Sequence, residues 1–252
     1  MQPCSKIIDK DYIFYFESID STNKFILDYI SKNKPNHPIV AYTDYQTEGK
    51  GQIGRYWESE TSKNLLMSLH FLPEKLLPEN QFNLSMYTAL IVATVLKSIM
   101  QTEVKIKWPN DIYIGDEKIA GILIQNVLQG KCIKNSVIGI GLNVNQTTFS
   151  DSIPNPTSMK LITNLTFEIS KILDEICDLF FKNMNSIYDY KSLKYNYISK
   201  IYSFGEWKKY QKGEVVFEGM IIDIESSGRL ILELKNGLVE SYNFQELKLV
   251  LK

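Results

Sequence analysis

The segment Ile119-Ala-Gly-Ile-Leu-Ile124 restricts the fold more than any other stretch of this chain. It is an uninterrupted apolar run bounded by turn residues, which reads as a strand buried on both faces. A Gly115-Asp116-Glu117 turn joins it to a preceding strand, and Pro109-Asn110-Asp111 breaks the apolar pattern of that partner with an amide and a carboxylate. Lys118 opens the run itself. A cation and a carboxylate where a sheet enters its core are costly unless they are paired or meet a charged ligand. Two readings stand side by side: an ion pair of Lys118 with Asp111 or Glu117, or a binding site.

The rest of the chain supplies candidates for the second reading. Tyr12-Ile-Phe-Tyr-Phe16 is an aromatic strand ending at Asp20-Ser21-Thr22-Asn23, four cap-forming residues before an apolar helix. Such a cluster caps a helix, and its free N–H groups and short hydroxyls also suit an anion or a ligand carbonyl. After the strand Ile39–Tyr42 comes Gln46-Thr-Glu-Gly49-Lys50-Gly51-Gln52-Ile53-Gly54-Arg55-Tyr-Trp57. Its glycines spell G-x-G-x-x-G, yet Asn64–Phe71 behind them reads as a strand and not as a crossover helix, which excludes a dinucleotide fingerprint. What remains is a mobile glycine loop with Lys50 and Arg55 beside its amides, the chemistry of a phosphate nest.

Phe82–Met100 reads as a long core helix, and Ser136–Asn145 as a buried strand whose glycines allow close approach, with Asn143 and Asn145 on one side. Ile169 to Met184 carries a clean amphipathic stripe, and a helix near Leu193–Ile198 follows. From Phe204-Gly205 the chain turns to short strands, Glu214–Phe217, Gly219–Ile224, Arg229–Leu234, Leu238–Phe244 and Lys248–Leu251, which together suit a small β-barrel docked on the main domain.

Composition removes several function classes. A 252-residue chain with 28 Lys plus Arg against 29 Asp plus Glu has no bulk charge to draw it to nucleic acid or anionic lipid. The basic, tyrosine-rich interval Lys191–Lys212 reads as a solvated helix face. Cys4, Cys132 and Cys177 form neither a disulfide framework nor a zinc pattern, and His37 and His70 have no partner at ligand spacing. The Met1-Gln-Pro-Cys-Ser5 start lacks signal-peptide blocks and no apolar run approaches ~18 residues, so a cytoplasmic setting without membrane attachment is expected. Cations around a glycine loop, with a carboxylate and amides able to share Mg²⁺, suit phosphoryl or nucleotidyl transfer.

In four motifs, taken in order, the chain resembles the biotin–protein ligases, enzymes that attach biotin to carboxylase carrier domains. The motifs are Ser21-Thr22-Asn23, Gln46 through Trp57, Lys107-Trp-Pro-Asn-Asp111 with Lys118–Leu123, and Gly139-Ile-Gly-Leu-Asn143-Val-Asn145. The resemblance implies an α+β fold: a mixed or antiparallel sheet with helices, like the class II aminoacyl-tRNA synthetase and biotin ligase catalytic domain, over 1–203, and an SH3-like barrel over 204–252. It implies biotin and Mg·ATP as substrates, biotinyl-5′-AMP as intermediate, and the biotin carboxyl carrier domain of acetyl-CoA carboxylase or a related carboxylase as partner. Residue by residue, Lys118, Asp111, Arg55 and Lys50 are expected in catalysis. Ser21, Thr22, Asn23, Gln46, Lys50, Gly51, Gln52 and Lys118 are expected on biotin, and Gly49, Arg55, Trp57, Asn110 and Asn143 on the nucleotide, with Trp57 closing over the adenylate. Asp111 and Asn143 are expected at Mg²⁺.

Two departures from the family's best-studied loop form, Gly-Arg-Gly-Arg-Arg-Gly-Arg, matter: Gln52 and Ile53 replace cations, which predicts faster leakage of the adenylate. The catalytic motifs begin too near the start for a DNA-binding domain, so a ligase without DNA binding is expected, as a monomer or weak homodimer. Lipoate–protein ligase, with a similar fold, and a non-catalytic biotin sensor are the competing readings.

Overall fold

The computed structural model describes residues 10–52, 54–73 and 75–250; the Met1–Ser5 start with Cys4, together with Ile53 and Leu251, lies outside them. A seven-stranded sheet forms the larger part, in the order β1-β2-β3-β7-β6-β5-β4. Its strands are β1 (Ile13–Ile19), β2 (Ile39–Gln46), β3 (Leu65–Phe71), β4 (Lys105–Lys107), β5 (Asp111–Ile114), β6 (Glu117–Gln129) and β7 (Cys132–Leu142). β1 and β2 are parallel because the helix α1 (Thr22–Asn33) crosses between them, and every other neighbouring pair is antiparallel. The fold is thus α+β with a mixed sheet.

Coverage of both faces follows from the apolar runs. All seven residues of β3 are buried, as are Ile119, Ala120 and Ile122 of β6. On one face α1 sets Ile26 and Ile30 against Ile39, Ala41 and Val137, with Phe14, Phe16 and Phe25 closing the rim. On the other lie α2 (Phe82–Met100), α4 (Ile169–Lys182) and α5 (Tyr190–Ile198), while the short α3 (Met159–Thr163) follows β7. Met184, expected to extend the α4 stripe, falls beyond its end and is exposed. The interval Pro78–Met100 is long and apolar enough by composition to cross a membrane, which corrects the expectation that no such run exists. With 67% of that apolar window buried inside the protein, it serves as the core helix.

The break at Trp108-Pro109-Asn110 is a turn between two strands, not an interruption within one: Lys105–Lys107 pairs back onto Asp111–Tyr113, with Lys107 opposite Asp111. The turn is fastened from three directions. Asn110 exchanges bonds with Ile122 (Nδ2 to O, 2.6 Å; N of Ile122 to O of Asn110, 3.0 Å). The Tyr197 hydroxyl donates to Pro109 O at 3.0 Å, and Trp108 Nε1 donates to Gly228 O at 2.9 Å.

Gly228 belongs to the C-terminal part, a five-stranded antiparallel sheet in the order β11-β10-β9-β8-β12. Its strands are β8 (Trp207–Lys212), β9 (Val215–Ile224), β10 (Leu230–Leu234), β11 (Val239–Tyr242) and β12 (Lys248–Leu249). β9 is one strand where two were expected. Gly219 sits inside it because a side chain there would press on Leu232 of β10. The basic interval Lys191–Lys212 divides between α5 and β8, so only its first half is helix.

Candidate active site

The α1 N-terminus, the 49–57 loop, the turn before β5 and the middle of β6 and β7 all open on one cavity of about 200 Å³, and the C-terminal sheet supplies its far wall. Each wall has a local cause. Ser21 is the N-cap of α1, its hydroxyl accepting from Lys24 N, and the Thr22 amide donates to Gln46 Oε1 at 2.9 Å. The Thr22 and Lys24 amides are therefore occupied by the protein's own side chains, as the capping reading has it. Ser21, Thr22, Asn23 and Gln46 all line the cavity.

The glycine loop is a closed hairpin. Gly51 N donates to Arg55 O, Arg55 N to Gln52 O and Trp57 N to Gly49 O, at 2.9, 2.9 and 3.0 Å. Gly54 turns it with φ +77°, and Lys50 bridges to Tyr56. Gly49 does not line the cavity; any side chain on it would strike Trp57 O, so its role is to let the hairpin close. Lys50, Gly51, Gln52, Arg55 and Trp57 do line it.

The Trp57 indole lies flat on a glycine floor. Gly121 of β6 and Gly141 of β7 are cross-strand partners; a side chain on Gly141 would enter the ring, and one on Gly121 would press on a single ring atom at 3.0 Å. Trp57 Nε1 is buried without a hydrogen-bond partner among the described residues. Lys118 Nζ stands 5.6 Å above the ring centroid and 2.6 Å from Asp111 Oδ1, both side chains part-exposed. The ion pair and the site are thus the same object: Lys118 and Asp111 are paired, and both line the cavity.

Three further cations share this end. Burial pushes the Lys107 ammonium below the ordinary lysine range; Asp111 opposes that, while Lys118, Arg55 and Lys248 reinforce it. Lys107 Nζ rests on Tyr113, 3.1 Å from its hydroxyl. Neither Lys107 nor Lys248 was expected as a site residue. A buried ammonium with three other cations beside it is the electrostatic mark of a place built for an anion.

Asn143, expected at the nucleotide and at Mg²⁺, is held by other parts of the chain. It does not line the cavity, its Nδ2 donates to Thr157 O at 2.9 Å, and its backbone serves Ile119 and Met159. It fastens the loop before α3. Among the described residues no cluster of three or more His, Cys, Asp or Glu side chains forms a metal centre. Asp111 is a lone carboxylate, a donor set that fits Mg²⁺ carried in on phosphate oxygens better than a resident ion.

Comparison with known proteins follows this geometry. Residues 15–143 match the biotin/lipoate A/B protein ligase family, and residues 209–244 match the biotin protein ligase C terminal domain. The bifunctional ligase/repressor BirA of Escherichia coli is 37% identical over 139 residues, 54% of this chain and 42% of that protein. The BirA of Bacillus spizizenii is 27% identical over 92% of this chain and 72% of its own length. The chain spans less than half the length of the Escherichia coli and Salmonella typhimurium relatives. In fold, it is similar to the biotin protein ligase from Aquifex aeolicus in complex with biotin and ATP. That match has a TM-score of 0.77 at 24% identity, over 94% of this chain and 98% of that one. The Leishmania major biotin protein ligase with biotinyl-5-AMP gives 0.65 at 21% identity, over 93% and 100%.

Proposed function

We propose, from the premise that the chain belongs to the biotin/lipoate A/B protein ligase family, that it activates biotin with ATP and transfers it to a lysine of a biotin carboxyl carrier domain. The observation that carries this reading is the single cavity. A polar pocket at Thr22, Asn23 and Gln46 and a cation group at Lys50, Arg55, Lys107 and Lys118 stand at its two ends, with the glycine floor between them. A ligand with a polar head, an apolar body and a carboxylate tail fits that order of surfaces.

In the first step a biotin carboxylate oxygen attacks the α-phosphorus, a new P–O bond forms, and the bond to the β-phosphate oxygen breaks to release pyrophosphate. The obstacle is repulsion between a carboxylate and a polyphosphate. Lys118 leaves Asp111 and lies between the two anions, and Lys50 and Arg55 neutralise the phosphates from the loop. Mg²⁺, when present on the triphosphate, supplies further charge neutralisation, with Asp111 the side chain able to share it. In the second step a neutral lysine amine of the carrier attacks the acyl carbon, the acyl–phosphate bond breaks, AMP leaves, and the amine proton passes to Asp111 or solvent. Trp57, lying over the floor, keeps water from the mixed anhydride.

Purified protein is assayed for ATP–pyrophosphate exchange with biotin or lipoate, and for streptavidin-detectable label on a carrier domain. Biotin-dependent exchange and ATP-dependent label are expected. Exchange with lipoate alone would assign the other branch of the family, against which the match of residues 209–244 to a biotin protein ligase domain speaks.

A further inference from the structure

From the polar end of the cavity a chain of side chains runs away from the reacting groups. Thr22 Oγ1 lies 2.7 Å from Ser68 Oγ, Ser68 Oγ lies 2.6 Å from Asn23 Oδ1, and Asn23 Nδ2 donates to Gln125 Oε1 at 2.9 Å. Ser68 is fully buried in β3 and Gln125 stands at the solvent end on β6. Neither lines the cavity. Opposite Ser68 in the sheet register is Gly139, whose missing side chain leaves the space that the Asn23 amide fills.

With the Asn23 carboxamide oxygen turned toward Ser68 and its nitrogen toward Gln125, counting protons gives the chain one direction. The carboxamide oxygen of Asn23 only accepts, so the single Ser68 proton goes to it. The proton between Thr22 and Ser68 then comes from Thr22. Thr22 Oγ1 also lies 3.1 Å from Gln46 Oε1, but its one proton is already committed. Gln46 Oε1 is held by the Thr22 amide instead. Two acceptor oxygens on the cavity wall therefore stand 3.1 Å apart with no proton between them, an arrangement that an N–H approaching from the cavity side can bridge.

We infer that the relay Gln125–Asn23–Ser68–Thr22 sets the hydrogen-bond polarity of the pocket. The pocket then selects a head group that presents N–H donors, such as a cyclic urea, with Ser68 and Gln125 as positioning residues. This rests on the proposed biotin-activating function and specifies how its head-group end discriminates. Turning the Asn23 amide over would reverse every member: Asn23 would donate to Ser68, Ser68 to Thr22 and Thr22 to Gln46, and the acceptor pair would vanish.

The exposed position 125 allows that reversal to be forced. Gln125→Glu offers only acceptors and holds the relay as it is, whereas Gln125→Lys offers only donors and turns it round. In biotin-dependent ATP–pyrophosphate exchange, Gln125→Glu is expected to stay within about twofold of the wild-type KM for biotin, and Gln125→Lys to raise it about tenfold or more at unchanged kcat. Ser68→Ala frees the Thr22 proton for Gln46 and is expected to raise KM by a similar factor. Equal KM values for the two Gln125 variants, or a folded Ser68→Ala protein with wild-type KM, would overturn the inference. If Ser68→Ala does not fold, the Gln125 pair decides alone. A wild-type protein with no biotin-dependent exchange removes the function and the inference together, whereas active variants with a flat KM remove the inference only.

Discussion

Replacing Gly141 by alanine tests whether the seat of Trp57 governs ligand retention. The backbone there is open to any residue, so the substitution acts through space alone. Its methyl would fall on Cε2 of the indole and come within 2.8 Å of Cδ2 and Cζ2, three atoms of one rigid ring. Overpacking of that kind costs about 1–3 kcal/mol. The indole rides on a hairpin that closes mainly on itself, so the cost falls on seating the loop and not on the core. At 1.4 kcal/mol per tenfold, the seated population drops roughly 5- to 150-fold. Global stability changes little, because fixing a glycine to alanine also restrains the unfolded chain by about 0.4–1 kcal/mol. The assay is the release rate of biotinyl-AMP formed on the protein, followed by indole fluorescence or by filtration, with a melting curve beside it. Release is expected to accelerate by at least fivefold. Gly121→Ala is the internal control: its nearest neighbours are one ring atom at 3.0 Å and the flexible end of Lys118, so its effect must be the smaller. Release from a folded Gly141→Ala protein at or below the wild-type rate, or a larger effect from Gly121→Ala, would refute the seat.

Lys118→Ala is expected to lower carrier labelling by about a hundredfold or more, since it removes the cation at the developing charge; undiminished labelling would show the chemistry lies elsewhere. Gln52→Arg adds a charge to the loop and is expected to slow adenylate release, and an unchanged rate would sink the leakage idea. Burial holds the His70 imidazole below its ordinary 6.5, against the pull of its bonds to Asn135 and His37. Below pH 6.5 the unfolded chain therefore takes up a proton that the native one resists, and stability is lost as pH falls through that value. Acid titration of the melting temperature should flatten in His70→Asn, and an identical slope would contradict the assignment.

Much of this was legible in the residues because the signals were long or chemically costly. The helix from Phe82 to Met100 has matching bounds, and the Lys118–Asp111 coincidence in the sequence marks the cavity. Short or charged elements were hidden. Lys105-Ile-Lys107 is too brief to show a strand period, so Pro109-Asn110-Asp111 read as a break within one strand when Trp108–Asn110 is the corner between two. Trp207–Lys212 carries three lysines in six residues and merged with the basic helix before it. Asn143 was of the right type beside the right glycines, but its amide is employed across a loop that no local pattern reveals. Ser68 and Lys107 did leave a trace: a hydroxyl in the wholly buried run Leu65–Phe71, and a half-buried ammonium opposite a carboxylate. Their meaning needed the third dimension, since each acts on partners tens of residues away.

The turn Trp108–Asn110 has no core of its own. It is moored to α5 through Tyr197, to β6 through Ile122 and to the C-terminal sheet through Gly228, with Phe244 packed against Trp108 at 5.3 Å. The shape of the corner that presents Asp111 is therefore a property of the whole chain and not of its motif. A fragment ending ahead of β8 would keep Lys107-Trp-Pro-Asn-Asp111 letter for letter and still release one of three anchors. In a shortened relative, the presence of that word is evidence of ancestry; competence has to be judged from the moorings.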